Sequence, residues 1–345
     1  MGLNLSDRKY EMNLARNFSL KRMNECVDAA QKASGKSRAR IRAEMLHCSR
    51  KFGAGFHDYI WYEFWNLDDD LRDTYLTRVR SKRLVEQMND AEYSHYFDNK
   101  NEFNAVFSEY TKRDFVDMVH ASRADVNAFY KTHKRAFAKL LDGSCGDGAE
   151  LLTLSDFPDG DALYDYAKKK NFGVLEEVIE NHPDIAKIYP NSLNTVRFIT
   201  LIGDDGKVHL LAAAQKFGRD GRFIDVFGMH SIADPETGVI TYPFHSGASL
   251  LGEIYEKHPD TGAPLIGYRI PCWEETKAMV FEAAMKIPQM RYIGWDVAIT
   301  PKGPLIIEGN NYTAYDYMQL PCQNPSRIGL IPTLKKIVPS YRYDK

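Results

Sequence analysis

Apolar residues recur at near-helical spacing over 19–33 and stop at Gly35, which predicts a helix there within a mostly helical stretch, residues 1–95. Aromatic residues then crowd together (Phe52, Phe56, Tyr59, Trp61, Tyr62, Phe64 and Trp65) with few cations among them. That is the pattern of a packing surface rather than of base stacking. The basic run from Lys36 to Arg42 reads as a solvated helix face. Further on the period shortens. Residues 135–141 and 172–179 read as strands, with a helical run over 161–170 between them. A strand containing Thr195 and Arg197 turns at Gly203-Asp-Asp-Gly206 into a second over 208–214. A helix over 274–286, closed by Pro288, delivers the chain into a last hairpin.

That hairpin, residues 292–311, carries the most informative pattern. Ile293, Trp295, Val297 and Ile299 alternate onto one face that can enter a core, while Asp296 points the other way between the small residues Gly294 and Ala298. Glu308 and Asn310 are two apart and share a face. If Ile299 pairs with Leu305 across a turn at 300–304, Asp296 lies opposite Glu308. Like charges so placed, roughly 5 Å apart at Cβ, destabilise a sheet. The expectation is therefore a hard divalent cation on the oxygens of Asp296, Glu308 and Asn310, Mg2+ beside a phosphate substrate being the usual occupant. The alternative is a solvated face with two unrelated acids, which a one-residue slip would separate.

The chain's 345 residues suffice for two or three lobes, and 44% hydrophobic with 27% charged residues is ordinary globular composition. A net charge of −2 gives no argument for nucleic acid. Five scattered cysteines without a Cys-x-x-Cys pair fit reduced thiols in a cytosol. No signal peptide or membrane span is expected, so the reading is a cytoplasmic, enzyme-sized protein, with oligomerisation left open.

Between the strands lies Asp142-Gly143-Ser144-Cys145-Gly146-Asp147-Gly148, whose glycines let backbone N–H groups approach an anion. Alternation places Arg197 on a face with Thr195, where its guanidinium can hold a transferring phosphoryl group bidentately.

The carboxylate, hairpin turn and Glu-x-Asn order resembles the magnesium-binding end of an ATP-grasp fold. The Gly294-Trp-Asp, Ile307-Glu-Gly-Asn and Ser192-Leu-Asn-Thr-Val-Arg wording more narrowly resembles the sugar-transfer-associated ATP-grasp family. Asp98-Asn-Lys100, Lys139 before the glycine turn, and Glu176-Glu177 in a strand fall in the family's order. The resemblance implies an α+β ATP-grasp fold, two lobes holding ATP between them, with a helical N-terminal extension. Its regions would be 1–95 (helix-rich), 96–180 (small lobe and nucleotide hinge) and 181–345 (large lobe with metal and substrate site). It also implies roles: Lys100 and Lys139 on phosphate with the loop at Gly143, Ser144, Gly146 and Gly148; Glu176, Glu177 and Ile179 around adenine; Asn194, Arg197 and Lys139 in catalysis; Mg2+ on Asp296, Glu308 and Asn310. Two departures stand out. Asp147 occupies a place where the family often has lysine, and Gln215-Lys216 with 225–230 replaces the family's arginine and Asp-Asn…Gly-Gly segments, Lys216 standing in for the arginine.

The implied reaction is ATP-dependent joining of a carboxylate to an amine or sugar-linked acceptor through an acyl phosphate, giving ADP and phosphate. Kinase-type transfer to a hydroxyl, and a nucleotide-binding protein without turnover, remain alternatives.

Overall fold

Residues 20–141, 148–221, 228–247 and 249–343 are described by a computed structural model. The helical period at the start becomes helices Leu20–Ser34 and Arg38–Phe52, the second capped by Ser37 and ended at Gly53 in the left-handed region. Phe52, Phe56, Tyr59, Tyr62, Phe64 and Trp65 form a core of their own with Cys26, Ile41 and Met45. The cations of the basic run meet the chain itself: Lys36 and Arg40 reach Glu44, and Arg42 reaches Asn24.

Two antiparallel sheets follow. Strands β1 (Phe115–Asp117), β2 (Arg135–Lys139), β3 (Ala149–Thr153) and β4 (Val174–Glu177) form the smaller, in the order β1-β4-β2-β3. Helices Arg123–Thr132 and Gly160–Lys169 pack on it around Val126, Leu163 and Ala167. The larger sheet holds β5 (Thr195–Ile202), β6 (Val208–Phe217), β7 (Met229–Ile232), β8 (Phe244–Ser246), β9 (Glu253–Tyr255), β10 (Tyr292–Thr300) and β11 (Gly303–Asn310). Its order is β11-β10-β5-β6-β7-β8-β9. Ile293, Trp295, Val297 and Ile299 enter the main core as their alternation requires, against helix Trp273–Ala284 and against Phe103 and Phe107. Trp295 places its indole N–H on Thr200 Oγ1 at 2.9 Å, which satisfies the one polar atom that this burial brings in.

The final hairpin is tighter than its sequence suggests. Thr300 pairs with Gly303 and Ile299 with Pro304, so the turn is Pro301-Lys302 rather than 300–304. Thr300 Oγ1 accepts from the Lys302 N–H (3.0 Å) and donates to the Gly303 carbonyl (2.8 Å). That register alone would slide Asp296 past Glu308. A β-bulge at Ile307 restores it: Val297 pairs with Ile306, and Asp296 then pairs with Glu308. The expected pairing is present, reached by a different route.

Candidate active site

Three neighbouring strands set one row of charge. Arg197 of β5 pairs with Asp296 of β10, which pairs with Glu308 of β11. Arg197 grips Asp296 bidentately, Nε to Oδ1 at 2.7 Å and Nη2 to Oδ2 at 2.6 Å, while Nη1 donates to Thr313 Oγ1 at 3.2 Å. Lys216 of β6 adds a second cation 3.0 Å from Asp296 Oδ1. Gly294 makes room for this. A Cβ there would fall 2.1 Å from Thr313 Oγ1 and 3.2 Å from the Arg197 Cδ, so any side chain would push the loop off the row.

Burial alone would raise the Asp296 carboxyl, but Arg197 and Lys216 hold it well below the usual range. This corrects the sequence argument, in which the two acids needed a metal to coexist. The chain supplies its own cations. Glu308 is the unbalanced member: burial and the Asp296 charge push its carboxyl up, with Arg197 and Lys139 pulling the other way. Its surface is nevertheless solvent-accessible. A side chain walled by protein yet reached by water sits in a cleft, so the burial contribution is smaller than full enclosure would give. Asn310 turns its amide N–H groups toward Glu308 Oε1 and the Gly294 carbonyl, both at 3.4 Å, a distance at which these bonds are weak.

Lys139 lies in β2 with its ammonium 2.5 Å from Glu176 Oε2. Glu176 also accepts from Arg113 (3.0 Å) and Asn104 (3.1 Å). Burial opposes ionisation of Glu176, yet Arg113 and Lys139 bring its carboxyl down to about 2. Its side chain is thus an ionic link inside the protein rather than a free group on the surface of β4. Glu177 is half-buried, its carboxylate accepting from the Asp114 N–H at 3.2 Å, and Ile179 is half-buried just beyond β4. Lys100 donates to the Leu141 carbonyl at 2.7 Å, at the entrance to the glycine segment. Gly143, Ser144, Gly146 and Asp147 lie outside the described residues, as do 225–227 of the departing segment. Gly148, at φ +71°, closes the glycine segment with Leu140 packed against it.

Asn194 has a different place from the chemistry expected of it. It is fully buried, donates to Tyr189 and Ser192 carbonyls, and accepts from Ser192 Oγ and the Gly218 N–H. Those bonds fix the loop leading into β5, and none reaches the Asp296 row.

Sequence reasoning missed Arg113, Asn104 and Thr313. Arg113 donates to Glu176 and also to the Ile306 and Ile307 carbonyls, at 3.0 and 2.9 Å. It therefore braces the bulge that sets Glu308 opposite Asp296, from the side of the smaller sheet. Nothing in Lys112-Arg113-Asp114, an ordinary charged triplet, announces that.

The model of the sugar-transfer associated ATP-grasp family matches residues 160–338. No curated protein matches the chain. Among solved structures, N5-carboxyaminoimidazole synthetase from Staphylococcus aureus, complexed with ADP, is 10% identical with a TM-score of 0.42, covering 70% of this chain and 52% of its own. L-amino acid ligase from Bacillus licheniformis is 14% identical with a TM-score of 0.37, covering 63% and 41%. D-alanyl-alanine synthetase A from Vibrio cholerae is 14% identical with a TM-score of 0.39, covering 70% and 61%. The chain thus spans roughly half the length of these proteins.

Proposed function

We propose, on the premise that the chain belongs to the sugar-transfer associated ATP-grasp family, that it joins a carboxylate to an amine or sugar-linked nucleophile, with ATP cleaved to ADP and phosphate. The observation that carries this reading is the row Arg197–Asp296–Glu308, with Lys216 on the same aspartate. Two carboxylates, an amide and water access form a hard-oxygen donor set, which fits Mg2+ on Asp296, Glu308 and Asn310. Bound there, Mg2+ would neutralise phosphate charge. The chain's own groups do the rest. Lys139 and Lys100 bind the phosphates of ATP, and the backbone beyond β4 receives adenine.

A substrate carboxylate oxygen attacks the γ-phosphorus as the bond to the ADP oxygen breaks. Arg197 holds the negative charge on the phosphoryl oxygens in flight, its planar fork matching them. The nucleophile then attacks the acyl carbon and loses its proton, and phosphate leaves with one carboxyl oxygen. Arg197 must exchange Asp296 for the phosphoryl group during this cycle, and Lys216 stays to hold the aspartate. The protein provides position and charge rather than a covalent group.

The test begins with ADP release across pooled amino acids, amines and sugar nucleotides. With the carboxylate then labelled with 18O, one label should emerge in phosphate. AMP as product, or unlabelled phosphate from a competent reaction, would refute the mechanism. Phosphate retained on a hydroxyl would establish the kinase alternative instead.

A further inference from the structure

β4 carries two adjacent glutamates, and alternation sends them to opposite faces of the smaller sheet. Glu176 goes to Arg113 and Lys139. Glu177 goes to a group of side chains that the reaction above does not use. The Glu177 N–H donates to the Asp114 carbonyl at 2.9 Å, and the Asp114 N–H donates back to Glu177 Oε2 at 3.2 Å, so the backbone fixes these two acids side by side. His133, which ends helix Arg123–Thr132, completes the group with Nε2 3.4 Å from Asp114 Oδ2. One ligand atom from each of Asp114, His133 and Glu177 falls within 4.8 Å of the other two.

The imidazole of His133 is held by its other edge. Nδ1 lies 3.1 Å from the Phe129 carbonyl and 2.9 Å from Thr132 Oγ1, and the ring stacks on Phe129 at 4.1 Å with an interplanar angle of 16°. A carbonyl only accepts, so Nδ1 carries a proton and Nε2 is the nitrogen left to face the carboxylates. A metal-binding histidine is oriented in this way, its far N–H on a carbonyl that fixes the ring and the tautomer. An imidazolium bonded to Asp114 accounts for the contact less well. Charge-assisted N–H···O bonds prefer about 2.7–2.9 Å. Two ligands each about 2.1 Å from one ion at a tetrahedral angle stand about 3.4 Å apart.

Asp114 is exposed while His133 and Glu177 are half-buried, so an ion with a remaining water ligand can reach the group from solvent. The C-terminal end of a helix also favours positive charge. An imidazole beside two carboxylates selects a borderline dication over Mg2+, which keeps to oxygen ligands. We propose that Asp114, His133 and Glu177 bind one Zn2+, with water in the fourth position, and that the ion ties the end of helix Arg123–Thr132 to the β1–β4 pair. The site shares no residue with the hard-oxygen set of Asp296, Glu308 and Asn310, and it does not rest on the ligase reading.

The test is calorimetric titration of the full chain with Zn2+ in excess Mg2+, alongside thermal melts with and without Zn2+. Wild type and Glu308→Gln should both bind Zn2+ and melt higher with it. His133→Asn and Asp114→Asn should each weaken that binding about 100-fold, ~2.7 kcal/mol, and lose the rise in melting temperature. Circular dichroism checks that the variants fold; Asp114→Asn alters an exposed side chain and serves alone if His133→Asn does not fold. Absence of Zn2+ binding, binding undiminished in a folded variant, or binding abolished by the excess Mg2+ would each overturn the proposal. A lower melting temperature in Asp114→Asn, with wild type unmoved by Zn2+, would show a plain ion pair in place of a metal site.

Discussion

Two buried carboxylates in this chain each sit between an arginine and a lysine, and the environments around them differ. Glu176 lies between Arg113 and Lys139, Asp296 between Arg197 and Lys216. Around Glu176 two cations enclose a single carboxylate and Asn104 takes up further bonding capacity, while Arg113 is anchored on two carbonyls of β11. Around Asp296 a third charge intrudes, Glu308, directly across the strand pair and open to water. A carboxylate enclosed by its cations holds structure together; a second acid beside such a group, open to water and without an ion pair of its own, offers oxygens to an additional cation. Composition does not separate them. The strand opposite does.

The largest effect expected is on folding. Glu176→Gln leaves Arg113 and Lys139 without their counter-charge inside the protein and should cost about 3 kcal/mol, read as a shift of the urea midpoint at constant slope. Glu308→Gln should cost nothing in the same measurement. Equal losses in both variants would show the two triads to be structural alike. Next is the brace between them. Arg113→Lys keeps the charge but cannot reach Glu176, Asn104 and two carbonyls with one planar fork, so about 2 kcal/mol of stability should go. The same change should weaken Mg2+ binding, because the bulge at Ile307 is no longer held; unchanged Mg2+ affinity would detach the brace from the site.

These expectations bear on what the sequence could reveal. Alternation alone placed Ile293, Trp295, Val297 and Ile299 in the core and set Asp296 on the other face. The helical region, the strand at 135–141 and the turn at Gly203–Gly206 were likewise legible, since each rests on local periodicity or turn chemistry. The hairpin's register was legible only in its outcome, because a bulge is stabilised by Arg113 from the distant segment before β1 and leaves no local signal. The closeness of Arg197 and Lys216 to Asp296 is a matter of strand order, β10-β5-β6, which no spacing encodes. Asn194 carried a suggestive motif and turned out to hold its own loop.

A third effect concerns turnover. Glu308→Gln should lower the rate of ADP formation about 100-fold, ~2.7 kcal/mol, while leaving the fold intact. A fall below ten-fold would remove Glu308 from the chemistry. Arg197→Lys should lower turnover more than ATP binding, because a point charge replaces a fork needed when the phosphoryl is in flight. Equal losses in the two would place Arg197 on the bound nucleotide.

The smallest effect is the most diagnostic, because its sign differs between the two triads. Glu176 titrates at about 2 in the folded chain, against an ordinary value of about 4.3. Its contribution to stability is therefore present above that ordinary value and fades as pH falls toward 2. Glu308 is displaced upward. The unfolded chain gives up that proton first, so stability falls as pH rises from the ordinary value through the folded one. Water access keeps this slope shallow. Urea unfolding from pH 4 to 7 should then show Glu308→Gln gaining on the wild type as pH rises. Mg2+ should abolish the difference: a cation on Glu308 favours its ionised form, so adding Mg2+ at pH 7 stabilises the wild type and leaves Glu308→Gln unmoved. Equal stabilisation of both would put the metal elsewhere and make the Asp296 triad as closed as its counterpart.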